Sequence, residues 1–223
     1  NNFVLLLAVP LYMSVALVLA VMINHFAYWK GLFKVVYFIP QISSIVAVAI
    51  VWQVIFHPSY GPVNNALHAL GIANPPKWLG DPHTAMLSVI LLVVWIEMGV
   101  AMIIYIAGLM DIPPDFYEAA DIDGANWLAK FFRITFPMLS RTTFFLTVTG
   151  VIGSFKSFTL IKVLTDGGPA YSTSVLVYDM YKVAFEDLKT GYASSIAVIL
   201  FLCVFAITIV QFAAQRKWMR DGG

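Results

Sequence analysis

Five stretches of this 223-residue chain are long and oily enough to cross a lipid bilayer, and no other feature restricts the fold so strongly. They run approximately over residues 3–23, 35–56, 85–108, 142–165 and 191–212. Crossing the hydrocarbon core takes about 20 helical residues. Lipid offers no partner to an open backbone N–H or C=O, so each stretch must close its own hydrogen bonds as a helix. The predicted fold class is all-α integral membrane, with about five transmembrane helices in one domain spanning residues 1–223. Composition excludes the alternative: 61% of residues are hydrophobic and 11% charged, whereas a soluble domain is about a quarter charged. Pro10 and Pro40 fall inside the first two stretches and are expected to kink them or to sit near their ends. The fourth stretch is the least oily and carries Lys156 and Lys162 in its outer half.

The cations distribute unevenly among the connections. Lys30 and Lys34 lie in the first, Lys130, Arg133 and Arg141 in the third, and Arg216, Lys217 and Arg220 in the tail. The remaining connections hold only Lys77, Lys182 and Lys189. The positive-inside bias places the first and third connections and the C-terminal tail in the cytoplasm and Asn1 outside. An odd number of spans with an external start implies a further helix upstream of Asn1. No basic stripe suggests nucleic acid as a partner. The single Cys203 excludes an intrachain disulfide and reads as a small buried hydrophobe. The outer connection 57–84 is rich in Pro and Gly, with Val63–Leu70 as a candidate interfacial helix, and Asp166-Gly167-Gly168-Pro169 signals a turn.

The third connection, residues 109–141, departs most from the rest. After Pro113 and Pro114, Asp115 is placed to cap a short helix with Glu118 three residues on, a capping-box arrangement. Ala119 and Ala120 present almost no side chain, so a partner's backbone can approach closely. Gly124 can end the helix at positive φ. Trp127, Leu128, Phe131, Phe132 and Ile134 then form an apolar stripe at helical spacing, and Pro137 is expected to stop or kink that helix. Helix rules alone also fit an amphipathic connector on the lipid surface in which Glu118 merely caps its own helix.

The wider pattern is more specific: Glu118-Ala119-Ala120, three residues, Gly124, nine residues, Ile134, one residue, Phe136-Pro137. It resembles the EAA loop of permease subunits of ATP-driven importers, departing only at Phe136, where the family carries Leu. Ala107 to Pro137 as a whole looks like permeases of carbohydrate importers that use an extracellular binding protein. Phe38-Ile39-Pro40, Tyr60-Gly61-Pro62-Val63-Asn64, Trp78-Leu79-Gly80 and Leu164-Thr165-Asp166-Gly167-Gly168-Pro169 followed by Ser172-Thr173 fit the same family. The last run resembles the first-subunit type found in maltose, lactose and glycerol-3-phosphate systems. The resemblance implies an ABC importer permease fold with a cytoplasmic coupling-helix loop, in a core of six helices of which one would precede Asn1. It implies a multi-pass protein of the bacterial inner membrane with three kinds of partner: a second permease subunit, an ATPase dimer and a periplasmic substrate-binding protein. ATP and Mg would be bound by the ATPase. This chain has no phosphate-cradling Gly-Lys-Ser/Thr loop and is expected to be non-catalytic. ATPase coupling falls on Glu118, Ala119, Ala120, Asp123 and Gly124.

Polar groups within the spans are the candidates for the cargo path. Glu97 lies about 12 residues into the third span, roughly 18 Å deep. An ionisable group there must face a cavity or a partner, and a carboxylate is a pure acceptor suited to sugar hydroxyls. The family places cargo contacts on this helix, just after Trp95. In the fourth span, Ser154 and Ser157 share one face and Gly153 lies beside them; maltose-type relatives line their cargo site with this segment. Close helix packing through small residues fits the same pattern. Lys156 can hold an anionic group of the cargo, pair with Glu97, or snorkel outward. Tyr105, Phe155 and Phe158 are candidates to stack on sugar rings. His57, His68 and His83 share a loop without metal-ligand spacing; Gln53 and Asn24 read as interfacial hydrogen-bonders. The sugar or sugar-/polyol-phosphate permease has a rival in an ion-coupled secondary transporter using Glu97 and Lys156. An integral membrane enzyme would need clustered carboxylates or histidines at the membrane edge.

Overall fold

A computed structural model describes the backbone of residues 1–26 and 28–221, and the side chains of these except 26 and 216–221. The tail cations Arg216, Lys217 and Arg220 therefore lie outside the described side chains. The fold is all-α. In chain order the helices are α1 (Asn2–Leu5), α2 (Ala8–Phe26), α3 (Lys30–Ile42), α4 (Ile45–Ile55), α5 (Pro62–Ala69), α6 (Pro82–Met110), α7 (Asp115–Ile122), α8 (Trp127–Lys130), α9 (Phe136–Met138), α10 (Ser140–Phe155), α11 (Phe158–Leu164), α12 (Leu176–Tyr181) and α13 (Thr190–Asp221).

Three of the five expected spans are long helical stretches: Asn2–His25, Pro82–Met110 and Thr190–Gln215. Pro10 sits near the start of α2. It has no N–H for the Leu6 carbonyl, which accepts instead from Val9 at 3.0 Å, and α1 passes into α2 through a turn. The other two expected spans are each a bent pair: α3 and α4 meet at 97°, α10 and α11 at 48°. The first bend follows Pro40 by three residues, at Ser43, whose backbone is extended (ψ 152°). Both the N–H and the hydroxyl of Ser43 return to the Ile39 carbonyl, at 3.2 and 2.8 Å. The second bend is an inverse γ-turn on Ser157 (φ −71°, ψ 61°), closed by Phe158 N–H to the Lys156 carbonyl at 2.7 Å.

Helix α6 is the axis. Against one side α2 packs through Ala16, Ala20 and Ala101, all nearly inaccessible, with Met102, Tyr105 and Ile106 alongside. Small residues let membrane helices approach and gain dispersion contacts, since lipid supplies no hydrophobic drive between them. On another side α3 crosses α6 at Gly99, where an added Cβ would fall on the Tyr37 carbonyl. A second cluster joins α4, the N-terminal half of α6 and α11 through Ala49, Val89, Leu92, Leu160 and Ile161. Gln53 is a strut of this cluster rather than an interfacial group: its amide donates to the Val163 and Leu164 carbonyls at 2.7 and 3.1 Å, satisfying the end of α11. Asn24 offers its backbone carbonyl to Lys30 at 2.6 Å.

The Pro/Gly-rich connection 57–84 is well ordered. Asn64 is buried; its amide donates to the Pro58 and Pro76 carbonyls at 3.0 and 3.2 Å, and its oxygen accepts from Trp78 Nε1 at 2.6 Å. In the connection 166–190, Asp166 and Gly167 adopt positive φ. Lys162 bridges Asp166 at 2.8 Å and Glu186 at 2.9 Å. Helix α13 is nearly bare, with 6% of its apolar window buried. Cys203 lies on it and is half-exposed rather than buried, because that helix has few neighbours within the chain.

Replacing Gly99 with Ala should force the α3–α6 crossing apart, since the obstacle is backbone. Overpacking of this kind costs about 1–3 kcal/mol and is read as a lowered melting temperature in detergent. Gly153→Ala, with nothing within 4 Å of the new carbon, is the control and should melt like the parent.

The hydrogen bond from Lys162 holds the Asp166 carboxyl below the ordinary range. A depressed carboxylate contributes stability above its unfolded value, about 3.9, and loses it as pH falls through the lower folded value. The melting temperature should therefore drop on acidification below about pH 4, and the drop should be shallower in Asp166→Asn.

Candidate functional site

The two helix bends deliver their residues to one place. A cavity of about 380 Å³ lies between α2, α6 and α10, with Ile45 from the first bend and Lys156 and Ser157 from the second on its wall. That volume is in the range of small-molecule sites. Glu97 projects from the middle of α6, and Gly153 and Ser154 from the end of α10, so all five residues selected from sequence for the path line the same space.

The hydrogen-bond inventory of this wall is lopsided. Ser154 donates to the Val151 carbonyl at 2.8 Å, Ser157 to Gly153 at 3.2 Å, and Thr149 to Phe145 at 2.9 Å. These hydroxyls have used their hydrogens on nearby main-chain carbonyls and face the cavity as acceptors. Glu97 and Lys156 share the cavity but form no ion pair, and neither side chain hydrogen-bonds to a described residue. A carboxylate and an ammonium without partners among the described residues are available to whatever enters.

Two aromatic expectations need correction. Tyr105 and Phe155 are each 2% exposed. Tyr105 is locked in the α2–α6 core with its hydroxyl on Thr143 at 3.3 Å, and Phe155 packs edge-on against Phe3. Neither can present a face to a sugar ring. Phe158 does line the cavity. Trp95 packs on Trp52, ring centres 5.4 Å apart. His57 stacks on Tyr60. Sequence reasoning missed Tyr12, Thr149 and Gly150 on the wall. For Tyr12 a signal existed: with Ser14, it is one of only two polar side chains in residues 3–23.

At the far end of α6, helix α7 carries Glu118, Ala119 and Ala120, with Asp123 and Gly124 immediately after. No residue of α7 is buried, and Ile122, Phe116 and Trp127 are also exposed. Gly124 ends the helix at φ +71°, its N–H on the Asp121 carbonyl and that of Ala125 on Ala120. The capping box does not form. Pro114 is already helical and occupies the cap position, so Asp115 is the first helical residue and Glu118 the fourth, with no side-chain cap. The Glu118 carboxylate therefore bonds to no described residue, and self-capping does not account for it. The cap that does form is Asn126, accepting from Ala129 N–H at 2.8 Å. Helix α7 is tied back by Tyr117 hydroxyl to Thr135 at 2.9 Å and by an Asp121–Lys130 ion pair. The apolar stripe divides: Phe131 and Ile134 pack on the α2–α6 core while Trp127, Leu128 and Phe132 stay exposed. Pro137 does not stop the helical path; a π-helical turn over Phe131–Thr135 and the short α9 lead on to α10.

Known proteins share this arrangement. The chain is 36% identical to the probable ABC transporter permease protein YurN of Bacillus subtilis (strain 168), over 82% of this chain and 63% of that protein. It thus spans less than two thirds of YurN's length. It is also 36% identical to the lactose transport system permease protein LacF of Rhizobium radiobacter, over 94% of this chain and 72% of LacF. A chain in the crystal structure of a bacterial alginate ABC transporter, in complex with its alginate pentasaccharide-bound periplasmic protein, superposes with a TM-score of 0.88. That match is 25% identical and covers 97% of this chain and 76% of the other. With the match to the family profile running from residue 13 to 220, the chain belongs to the family of binding-protein-dependent transport system inner membrane components.

Proposed function

We propose that this chain is one permease subunit of an ATP-driven importer and forms half of the membrane path for a sugar or a sugar-/polyol-phosphate. One observation carries the reading: a mid-span cavity, built where two helices break, holds an unpaired carboxylate and an unpaired ammonium. Discontinuous helices meeting at a polar cavity are a recurring design in membrane transporters. The lactose and alginate systems named among the similar proteins support a carbohydrate cargo.

Glu97 is the principal acceptor for cargo hydroxyls. Lys156 meets an anionic group where the cargo carries one. Ser154 and Ser157 accept, and Gly153 leaves room. The chain performs no chemistry. Glu118, Ala119, Ala120, Asp123 and Gly124 form the seat for an ATPase subunit: an unburied acidic helix with small side chains admits a partner closely, and the exposed Ile122 and Trp127 add apolar contact. Closure of an ATPase dimer around ATP and Mg would move α7 and tilt the bundle between outward- and inward-open states. The bare face of α13 leaves surface for lipid and a second permease subunit. A periplasmic binding protein delivers cargo from the outer side, and the C-terminal tail lies in the cytoplasm.

Purification of the intact complex should recover an ATPase, a second permease subunit and a sugar-binding protein. Glu118→Lys should abolish ATP-driven uptake in proteoliposomes while cargo binding to the soluble protein is unchanged; uptake equal to the parent would remove the docking role. Glu97→Ala should leave the ATPase attached and reduce uptake about ten-fold or more, the value of a hydrogen bond to a charged group. Unchanged uptake there would remove Glu97 from the path.

A further inference from the structure

Helix α2 was not expected to contribute to the path, yet it supplies Tyr12 to the cavity wall. Tyr12 is 5% exposed, so its ring is held by packing, and it abuts Gly150: a Cβ built on Gly150 would strike the phenol oxygen. The hydroxyl hydrogen-bonds to no described residue. The hydroxyls of Thr149, Ser154 and Ser157 on this wall have spent their hydrogens on nearby main-chain carbonyls. Among the described residues, the donors left to the cavity are the hydroxyls of Tyr12 and Thr159 and the Lys156 ammonium, and the strongest acceptor is Glu97. Tyr12 also lies within electrostatic reach of Glu97.

We propose that Tyr12 is a specificity residue of the path: its hydroxyl donates to the oxygen of a cargo hydroxyl group whose hydrogen Glu97 accepts. Resting on the carbohydrate reading of the cavity, this assignment names the recognised element as a hydroxyl that must both donate and accept. Such a pair excludes ethers and deoxy positions, which leave one of the two groups unpaired. Gly150 has a stated part in it, because only a residue without a side chain leaves the phenol oxygen its place.

The test uses the assembled transporter in membrane vesicles. Cys203→Ala removes the native thiol, and Gly153→Cys, at a position with free space around it, reports occupancy by its rate of modification with a charged methanethiosulfonate. Lactose, sn-glycerol 3-phosphate and alginate pentasaccharide are the probes. We expect at least one to slow labelling. Tyr12→Phe, which keeps the ring, should raise the concentration needed for protection at least ten-fold. So should Glu97→Gln, and the double variant should lose little more than either single one, because both groups act on one hydroxyl. Complexes of unchanged size and ATPase content establish that the variants assemble. If Glu97→Gln weakens protection and Tyr12→Phe does not, the Tyr12 assignment is wrong and the cavity reading stands. Independent, additive effects would also overturn the shared-hydroxyl geometry. If no probe protects the thiol, the cavity reading fails and takes the Tyr12 assignment with it.

Discussion

Lipid cannot hydrogen-bond to a polypeptide, so every interruption of a helix in this chain has to be covered by the chain itself. There are two marked bends within its expected spans, and both are covered. At the first, Ser43 folds its N–H and hydroxyl back onto Ile39, and Gly99 allows the Tyr37 carbonyl to lie directly against α6. At the second, a γ-turn closes over Ser157, and at the far end of α11 Gln53 reaches from α4 to the Val163 and Leu164 carbonyls. The chain gives up straight helices only where protein stands in for water. At those same two places residues 45, 156 and 157 turn onto the cavity.

The same scarcity of outside partners sorts the charged groups. Lys162, in the last turn of α11, is held by Asp166 and Glu186 with the rings of Tyr178 and Tyr181 beneath it, and it serves to pin a turn. Glu97 and Lys156 have no such company. An uncompensated charge within a span lowers stability, and under the proposed function the cargo is its partner. Asp121 and Lys130 neutralise each other at the base of α7, while Glu118 stays unpaired and exposed. Charges that hold the fold are paired within the chain; Glu97, Lys156 and Glu118, assigned to the proposed function, have no partner among the described residues.

Packing links the two candidate sites. Tyr117 joins α7 to Thr135; Phe131 and Ile134, on the turns that follow, rest on the core formed by α2 and α6. Helix α6 carries Glu97, and α2 carries Tyr12. A displacement of α7 thus acts on a continuous set of packed side chains that ends at the cavity wall. Close-packed interiors shift as units instead of deforming smoothly, which suits a device that alternates between two states.

The residues themselves determined the solvent, the number and positions of the apolar stretches and the Glu-Ala-Ala pattern, because these depend on hydropathy and spacing along the chain. Glu97 was legible for a related reason: an acid in an oily run is costly wherever the run is placed. The bends were only half legible. Pro40 marked one, but nothing near it in the chain predicts an angle of 97°, and the break at Ser157 has no proline. Asp115 looked like a cap because the composition was right, and Pro114 took the position because its fixed φ was already helical. Tyr105, Phe155 and Phe158 are all aromatics in apolar surroundings, and nothing local tells them apart. Which of them faces a cavity and which is sealed in the core is fixed by the rotation of each helix against its neighbours, a relation between distant residues that only tertiary packing sets.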